Sequence, residues 1–100
     1  MDDLLTWLQN YYKSLCDGQW EHQYGFKIDN VDNPGWRLDF DLAYTEMEDV
    51  PFSYVRIDRS EHDWVHCKVD EKVFQGNGGP QNLVEILAIF RNWVETSRRT

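Results

Sequence analysis

The 100-residue sequence has few cysteines, which cross-link small secreted proteins, and no long apolar stretch of the kind that anchors a chain in a membrane. Its two cysteines, Cys16 and Cys67, form no CxxC pair, so a disulfide framework is not expected, although a single bridge is left open. It has no apolar run of about 18 residues, which excludes a membrane-spanning helix. Its first residues lack the cationic start and long apolar stretch of a secretory signal. We therefore expect a reduced, cytoplasmic setting.

Positive charge is also scarce. Lysine and arginine number 10 against 18 aspartates and glutamates, which gives a formal net charge of −8. This balance disfavours nucleic acid and anionic lipid as direct partners, because both are themselves negatively charged. It is compatible with a basic protein partner, which an acidic surface attracts and orients. Solubility alone is the competing explanation for the same charge.

Aromatic residues, in contrast, are abundant. They make up 15% of the chain, with five each of tryptophan, tyrosine and phenylalanine. Each aromatic side chain can bury about 150–250 Å², so few positions suffice to build a core. A chain of this length fits one domain, and we expect residues 1–100 to fold as a single globular unit.

Hydrophobic residues at helical spacing predict a helix at each end of the chain. The first extends from Asp2 to Asp17, with Gly18 as a natural stop. Its apolar positions are Leu4, Leu5, Leu8, Tyr11, Tyr12 and Leu15. The second follows the GNGG segment and places Pro80 in its first turn. Its apolar positions are Leu83, Ile86, Leu87, Phe90, Trp93 and Val94, its second apolar stripe is Val84, Ala88 and Ile89, and its C-terminal cations are Arg91, Arg98 and Arg99.

Alternation of apolar and polar residues predicts strands between these helices. The clearest is 36–43, where Trp36, Leu38, Phe40 and Leu42 alternate with Arg37, Asp39, Asp41 and Ala43. Further strands are predicted in 22–29, 52–58, 63–69 and 73–75. The DNPG sequence predicts a hairpin turn in which Gly35 takes a positive φ. The predicted fold class is α+β, with an antiparallel sheet of about four to five strands flanked by an N-terminal and a C-terminal helix.

No pattern in the sequence indicates a catalytic or metal centre. The soft metal ligands are His22, His62, His66, Cys16 and Cys67, and none has the close pairing usual in zinc sites. Both cysteines lie on predicted apolar faces, which favours burial over nucleophilic reactivity. The GNGG segment lacks the glycine and lysine spacing of phosphate-binding loops. We assign no catalytic residue, metal ligand or cofactor.

Acidic residues concentrate in the first hairpin and in the loop that leaves it. This acidic strip consists of Asp29, Asp32, Asp39, Asp41, Glu46, Glu48 and Asp49. Because they come from one hairpin and its exit, with Arg37 alone interleaved, we expect neighbours that repel one another until a basic partner binds. Asp39 and Asp41 also form a carboxylate pair, but an open strand face offers no pocket that would shift a pKa. Arg37, Tyr44 and Tyr54 would supply the anchors common at protein interfaces.

Several stretches of the chain resemble the immunity protein 53 family of bacterial polymorphic toxin systems. They are WLQNYYKSLCDGQWEHQYGFKI, DNPGWRLDFDL, DWVHCKV and GGPQNLVEILAIFRNWV, which together extend from Trp7 to Val94. The motif residues that we expect to be structural are Trp20, Glu21, His22, Gly25, Pro34, Gly35, Trp36, Trp64, Gly79 and Pro80. The segment from Thr45 to Glu61 carries little resemblance.

This resemblance implies a small cytoplasmic protein that binds and neutralises a cognate toxin domain and is not an enzyme. Together with the charge pattern, it leads us to predict stoichiometric occlusion of a basic toxin surface, such as that of a nuclease, by an acidic face. The predicted toxin-binding residues are Asp39, Asp41, Glu46, Glu48, Asp49, Arg37, Tyr44 and Tyr54. We expect a monomer or weak homodimer that binds neither nucleic acid nor membrane.

Two alternatives remain open. One is a small metal-dependent hydrolase that uses His22, His66 and a neighbouring carboxylate. The other is a homodimeric structural module that buries the second apolar stripe of the C-terminal helix.

Overall fold

The computed structural model describes residues 3–98, which form one antiparallel five-stranded sheet with two long helices on one face. The helices are α1 (Asp3–Leu15), α2 (Trp20–Gln23) and α3 (Leu83–Arg98). The strands are β1 (Phe26–Val31), β2 (Gly35–Asp41), β3 (Val55–Ser60), β4 (Asp63–Asp70) and β5 (Val73–Gly78), in the order β1-β2-β5-β4-β3. The predicted single α+β domain is confirmed. Asp2 and Arg99, predicted at the helix ends, lie outside the described residues.

The core lies between the sheet and the two long helices, as the alternation in β2 predicted. Leu38 and Phe40 of β2 are fully buried against the helices, whereas Arg37, which precedes them, is exposed. Phe90 of α3 is at the centre, and its ring lies within 6.2 Å of the rings of Trp7, Tyr11, Phe26, Phe40, Phe74 and Trp93. Within residues 3–98, no helix is long and apolar enough to cross a membrane.

The glycine-rich segment before α3 differs from its prediction. Gly76 and Gly78 belong to the central strand β5, and α3 begins only at Leu83, so Pro80 is not in its first turn. A Cβ atom on Gly76 would collide with Cγ2 of Ile86, and one on Gly78 would lie 2.9 Å from Cδ1 of the same residue. The absent side chains therefore let α3 pack directly on the middle of the sheet.

Gly35 is also needed for close approach and not for a positive φ. The predicted hairpin is present, with Val31 opposite Gly35 at its end. A Cβ atom on Gly35 would collide with the carbonyl oxygen of Gly78 on the neighbouring strand. Gly18, after the end of α1, does have a positive φ of 94°, which glycine adopts at no steric cost.

Tyr11 carries a buried hydroxyl that makes no hydrogen bond to any residue described. Burial, and secondarily Glu46, raises its pKa to about 12, while Arg98 acts in the opposite direction. Because the folded protein keeps the proton that an unfolded tyrosine releases near pH 10, the folded state loses stability relative to the unfolded state as the pH rises from 10 towards about 12.

We expect Tyr11→Phe to raise the free energy of unfolding at pH 7 by up to about 1 kcal/mol, because it removes an unsatisfied polar group. The variant should also lose less stability than wild type between pH 10 and about pH 12. Urea unfolding followed by circular dichroism at both ends of this range measures the two effects. A loss of more than about 1 kcal/mol at pH 7 would show that the hydroxyl is usefully bonded.

Candidate functional site

The side of the sheet that the helices leave uncovered presents a row of polar side chains. We call it the open face. By the strand registers it consists of Lys27, Asp29, Arg37, Asp39, Asp41, Arg56, Asp58, Trp64, His66, Lys68, Asp70, Val73, Gln75 and Asn77. Its charges alternate, since Lys27 lies opposite Asp39 and Arg37 lies opposite Asp29. The open face is therefore of mixed sign.

The acidic strip is divided by the fold. Asp29, Asp39 and Asp41 lie on the open face, Asp32 lies in the β1–β2 turn, and the others follow β2. Two of these acids are paired with cations distant in the chain, which corrects the expectation that Arg37 alone is interleaved. Glu46 pairs with Arg98 and Glu48 pairs with Lys72, each at 2.6 Å. Asp39 pairs with the interleaved Arg37 at 3.2 Å.

A groove of about 570 Å³ lies where β1, β2 and β5 meet the end of α2. Its lining includes Gln23, Tyr24, Lys27, Arg37, Asp39, Asp41 and Gln75. Asp39 is held through Oδ2 by Arg37, whereas its Oδ1 is buried and has no hydrogen-bond partner within residues 3–98. Asp41 accepts a hydrogen bond from the Gly25 backbone at 3.0 Å. The Asp39 side chain remains 29% exposed, so part of its carboxylate faces the groove although Oδ1 itself is buried.

Tyr44 lies beside this groove. It is 78% exposed, and its backbone has a φ of 62°, which is uncommon for a residue other than glycine. Its ring lies 5.8 Å from that of Tyr24, and together with Trp20 they line a second cavity of about 310 Å³. Gln23 and Tyr24 line both cavities, so the two form one continuous surface.

The β4–β5 turn completes this region, which we call the acidic end. Glu71 and Lys72 have positive φ values of 51° and 63°, so with Tyr44 all the non-glycine residues of positive φ in the described chain lie here. Lys72 binds Glu48, which lowers the pKa of Glu48 and raises that of Lys72. The acids of the acidic end are Asp41, Glu48, Asp49, Asp70 and Glu71. The β4–β5 connection is a two-residue hairpin turn, which takes a positive φ at both of its central residues.

Tyr54 and Glu46 are not part of this region. Tyr54 is 59% exposed and immediately precedes β3, the edge strand on the far side of the sheet from β1. Glu46 turns towards the end of α3, where Arg98 also lies over the ring of Tyr11 at 5.2 Å. The structure therefore brings together Arg37, Asp39, Asp41, Tyr44, Glu48 and Asp49, but not these two.

The histidines do not assemble a catalytic site. His66 lies on the open face and bonds Asp58 at 2.8 Å, and Asp58 also binds Arg56 at 2.8 Å. Arg56 first, and His66 second, lower the pKa of Asp58. His22 is exposed on α2, a different element. In the part of the chain that the structure covers, no group of three or more histidines, cysteines and acids could hold a metal ion.

Cys67 is a poor nucleophile because it is fully buried in β4. Burial raises the pKa of its thiol to about 12, so almost no thiolate is present at neutral pH. Cys16 is only partly buried, and both thiols are free. We expect a disulfide reagent such as Ellman's to label Cys16 alone in the native protein and both cysteines in denaturant. Rapid native labelling of Cys67 would contradict the burial.

Around α2, the matching motif residues hold the backbone of this region. The Trp20 indole nitrogen donates to the Ala43 carbonyl at 3.0 Å, next to Tyr44. Glu21 accepts hydrogen bonds from the backbone of Asp17 and Gly18, each at 2.9 Å. The Trp20 bond attaches α2 to the loop that presents Tyr44, and the Glu21 bonds attach α2 to the segment that follows α1.

At the opposite end of the sheet, other motif residues hold the segment that leads from β5 into α3. The Trp36 indole nitrogen donates to the Pro80 carbonyl at 2.9 Å. The Gly79 backbone donates to the carbonyl of Trp64 at 3.1 Å, and a Cβ atom on Gly79 would collide with the carbonyl of His62. These contacts agree with a structural role for the motif residues. His22 and Pro34, which also match, are exposed.

The family model described as Immunity protein 53 matches residues 5–95 of the chain. The chain belongs to this family. Membership of the immunity protein 53 family indicates a toxin-neutralising role. Neither a curated protein nor a solved structure matches the chain significantly.

Several residues of the site were not predicted as partners of a toxin, among them Tyr24, Lys27, Lys72 and Gln75. Tyr24, which lines both cavities, lies in a family motif, and that was a usable signal. Strand pairing brings Lys27 and Gln75 beside Asp39. The β4–β5 turn brings Lys72 to Glu48. Nothing in their local sequence distinguishes them.

Proposed function

We propose that this member of the immunity protein 53 family is a cytoplasmic bacterial protein that binds a cognate toxin domain and blocks it stoichiometrically, without a catalytic step. The observation that carries the proposal is the family match over residues 5–95, nearly the whole described chain. The surface must then supply affinity and specificity.

The proposed interface centres on the groove and on Tyr44. Asp39 has a side chain that is 29% exposed, and a lysine or arginine of the toxin can pair with its carboxylate. A charge pair that is fully desolvated on binding contributes strongly to slow dissociation. Tyr44 is exposed yet held in place by the Trp20–Ala43 bond beside it, which suits an anchor that loses little freedom on binding. Glu46 and Tyr54 are not included in this interface.

The acidic end has a different proposed role, which is to attract the toxin. Its exposed acids, among them Asp49 and Glu71, lie at the rim of the groove and create negative potential there. Rim charges mainly accelerate association with a basic partner. We propose a nuclease as the toxin, because a nuclease needs a basic surface to hold phosphates.

Titration of the toxin with this protein tests the proposal. The toxin domain from the reading frame adjacent to its gene is the natural partner to express with it. We expect co-expression to protect cells, a 1:1 complex in solution, and loss of toxin activity in proportion to added protein, complete at one equivalent. Inactivation of many toxin molecules per molecule of this protein would instead show catalysis. Lack of binding and protection would refute the proposed function.

A further inference from the structure

The edge strand β1 has backbone groups that point away from the sheet. The Asp41 nitrogen donates to the Gly25 carbonyl at 3.1 Å, which marks this pair as hydrogen-bonded across β1 and β2. In an antiparallel ladder such pairs recur at every second residue, so Lys27 and Asp29 also bond towards β2. The N–H and C=O groups of the residues between them, Phe26, Ile28 and Asn30, therefore point outwards.

Apolar side chains are exposed along the same edge. Leu5 is 53% exposed, Ile28 39% and Tyr12 38%, all of them large hydrophobic residues. Leu5 and Tyr12 belong to α1, and with Phe26 they line a groove of about 450 Å³ between α1 and β1. An incoming strand would thus find free backbone partners and an apolar flank on the core side of the sheet.

We propose that the occupant of this edge is β1 of a second copy of the chain, paired antiparallel about a two-fold axis. The outward backbone groups must pair with one another, so Phe26, Ile28 and Asn30 must lie opposite residues of this same set. Charge then selects the register. With Ile28 opposite Ile28 of the second copy, Lys27 lies opposite the second copy's Asp29, and this attraction occurs twice.

The neighbouring registers are disfavoured. A shift in one direction places Lys27 opposite Lys27, and a shift in the other places Asp29 opposite Asp29. Like charges directly opposite destabilise a strand pair. In the selected register the charged pairs occupy the positions without backbone hydrogen bonds, where side chains approach most closely. The two sheets join into one, with both α1 helices on the same side of the junction.

A dimer formed through the second apolar stripe of α3 is the alternative. Val84 of that stripe is 65% exposed, but the backbone groups of a helix bond within the helix and cannot pair with those of a second copy. The proposed β1 dimer does not depend on the proposed toxin-binding function, and its test needs no toxin.

A charge-swap series measured by sedimentation velocity tests the dimer. We expect wild type to dimerise reversibly with a Kd below about 1 mM. Asp29→Lys places two lysines opposite each other and should raise the Kd about tenfold or more. Because the new lysine also lies opposite Arg37 of β2 within the chain, the rise counts only if the circular dichroism spectrum stays that of wild type. Adding Lys27→Asp restores opposite signs and should restore dimerisation. A wild type that is monomeric at about 1 mM, or a dimer that Asp29→Lys leaves intact, overturns the proposal.

Cross-linking tests the register independently, in a Cys16→Ser background. Ile28→Cys places a thiol opposite its own equivalent, at a Cα separation of about 5.5 Å that a disulfide spans. Asn30→Cys is the matched control, because the register separates its two copies by more than about 13 Å along the strands. We expect mild oxidation to give a covalent dimer with Ile28→Cys only. Equal cross-linking of both variants, or of neither, contradicts the register.

Discussion

Replacing Phe90 with alanine is expected to lower the free energy of unfolding by about 3–5 kcal/mol. Phe90 is fully buried at the point where α1, α3 and the sheet meet, and its ring contacts aromatic residues from all three. Its removal would leave a cavity whose walls are rigid rings and cannot collapse well. Because a domain of this size is stable by only about 5–15 kcal/mol, the variant should be close to unfolding at 37 °C.

Urea unfolding followed by tryptophan fluorescence and circular dichroism measures this loss. Val84→Ala is the matched control, since it also truncates an apolar side chain of α3 but at a position that is 65% exposed. The control should change stability by no more than about 0.5 kcal/mol. A loss of less than about 1 kcal/mol for Phe90→Ala would mean that the helix does not pack on the sheet as described.

The double variant Asp39→Asn with Asp41→Asn is expected to weaken toxin binding by about 30-fold or more. The reason is that truncating one side of a desolvated charge pair costs about 2–5 kcal/mol. Asparagine keeps the shape of the side chain and can still accept the hydrogen bonds from Arg37 and Gly25. The melting temperature should therefore change little, and calorimetric titration with the toxin domain should show the loss directly.

The matched control removes two charges at the other end of the sheet. Asp32 is exposed in the β1–β2 turn and Glu61 in the β3–β4 turn. The variant Asp32→Asn with Glu61→Gln therefore removes the same amount of negative charge from the protein. This control should slow association slightly and leave dissociation unchanged. If both double variants weaken binding to the same extent, total charge and not the groove determines affinity. If neither does, the interface lies elsewhere.

The main elements of the fold could be predicted because their signals are local. The i, i+3, i+4 spacing of the apolar residues in α3 and the alternation in β2 each appear within one segment of the sequence. Helix α2 and the length of β5 were missed. The residues of Gly76–Gly78 are typical of turns, yet they form the end of the central strand β5. Their glycines leave room for the side chain of Ile86, which is distant in the sequence.

The candidate site could be predicted only in part for a related reason. The seven acids of the strip are close in the chain, but the cations that pair with two of them are not. Glu46 binds Arg98, 52 residues away, and Glu48 binds Lys72, 24 residues away. Tyr44 was predicted as an anchor from its residue type, whereas its position beside Tyr24 and the groove depends on strand pairing and on α2.

The sequence by itself determined the α+β class, the inward and outward positions of its long helices and strands, the acidic charge and the family. These follow from periodicity, composition and motifs, which are properties of short segments. The tertiary structure alone decided which acids are neutralised, which carboxylate oxygen is left without a partner, and which strand forms an edge with free backbone groups. Those features arise where residues distant in the chain meet, because pairing across strands and packing of helices set the neighbours of each charge.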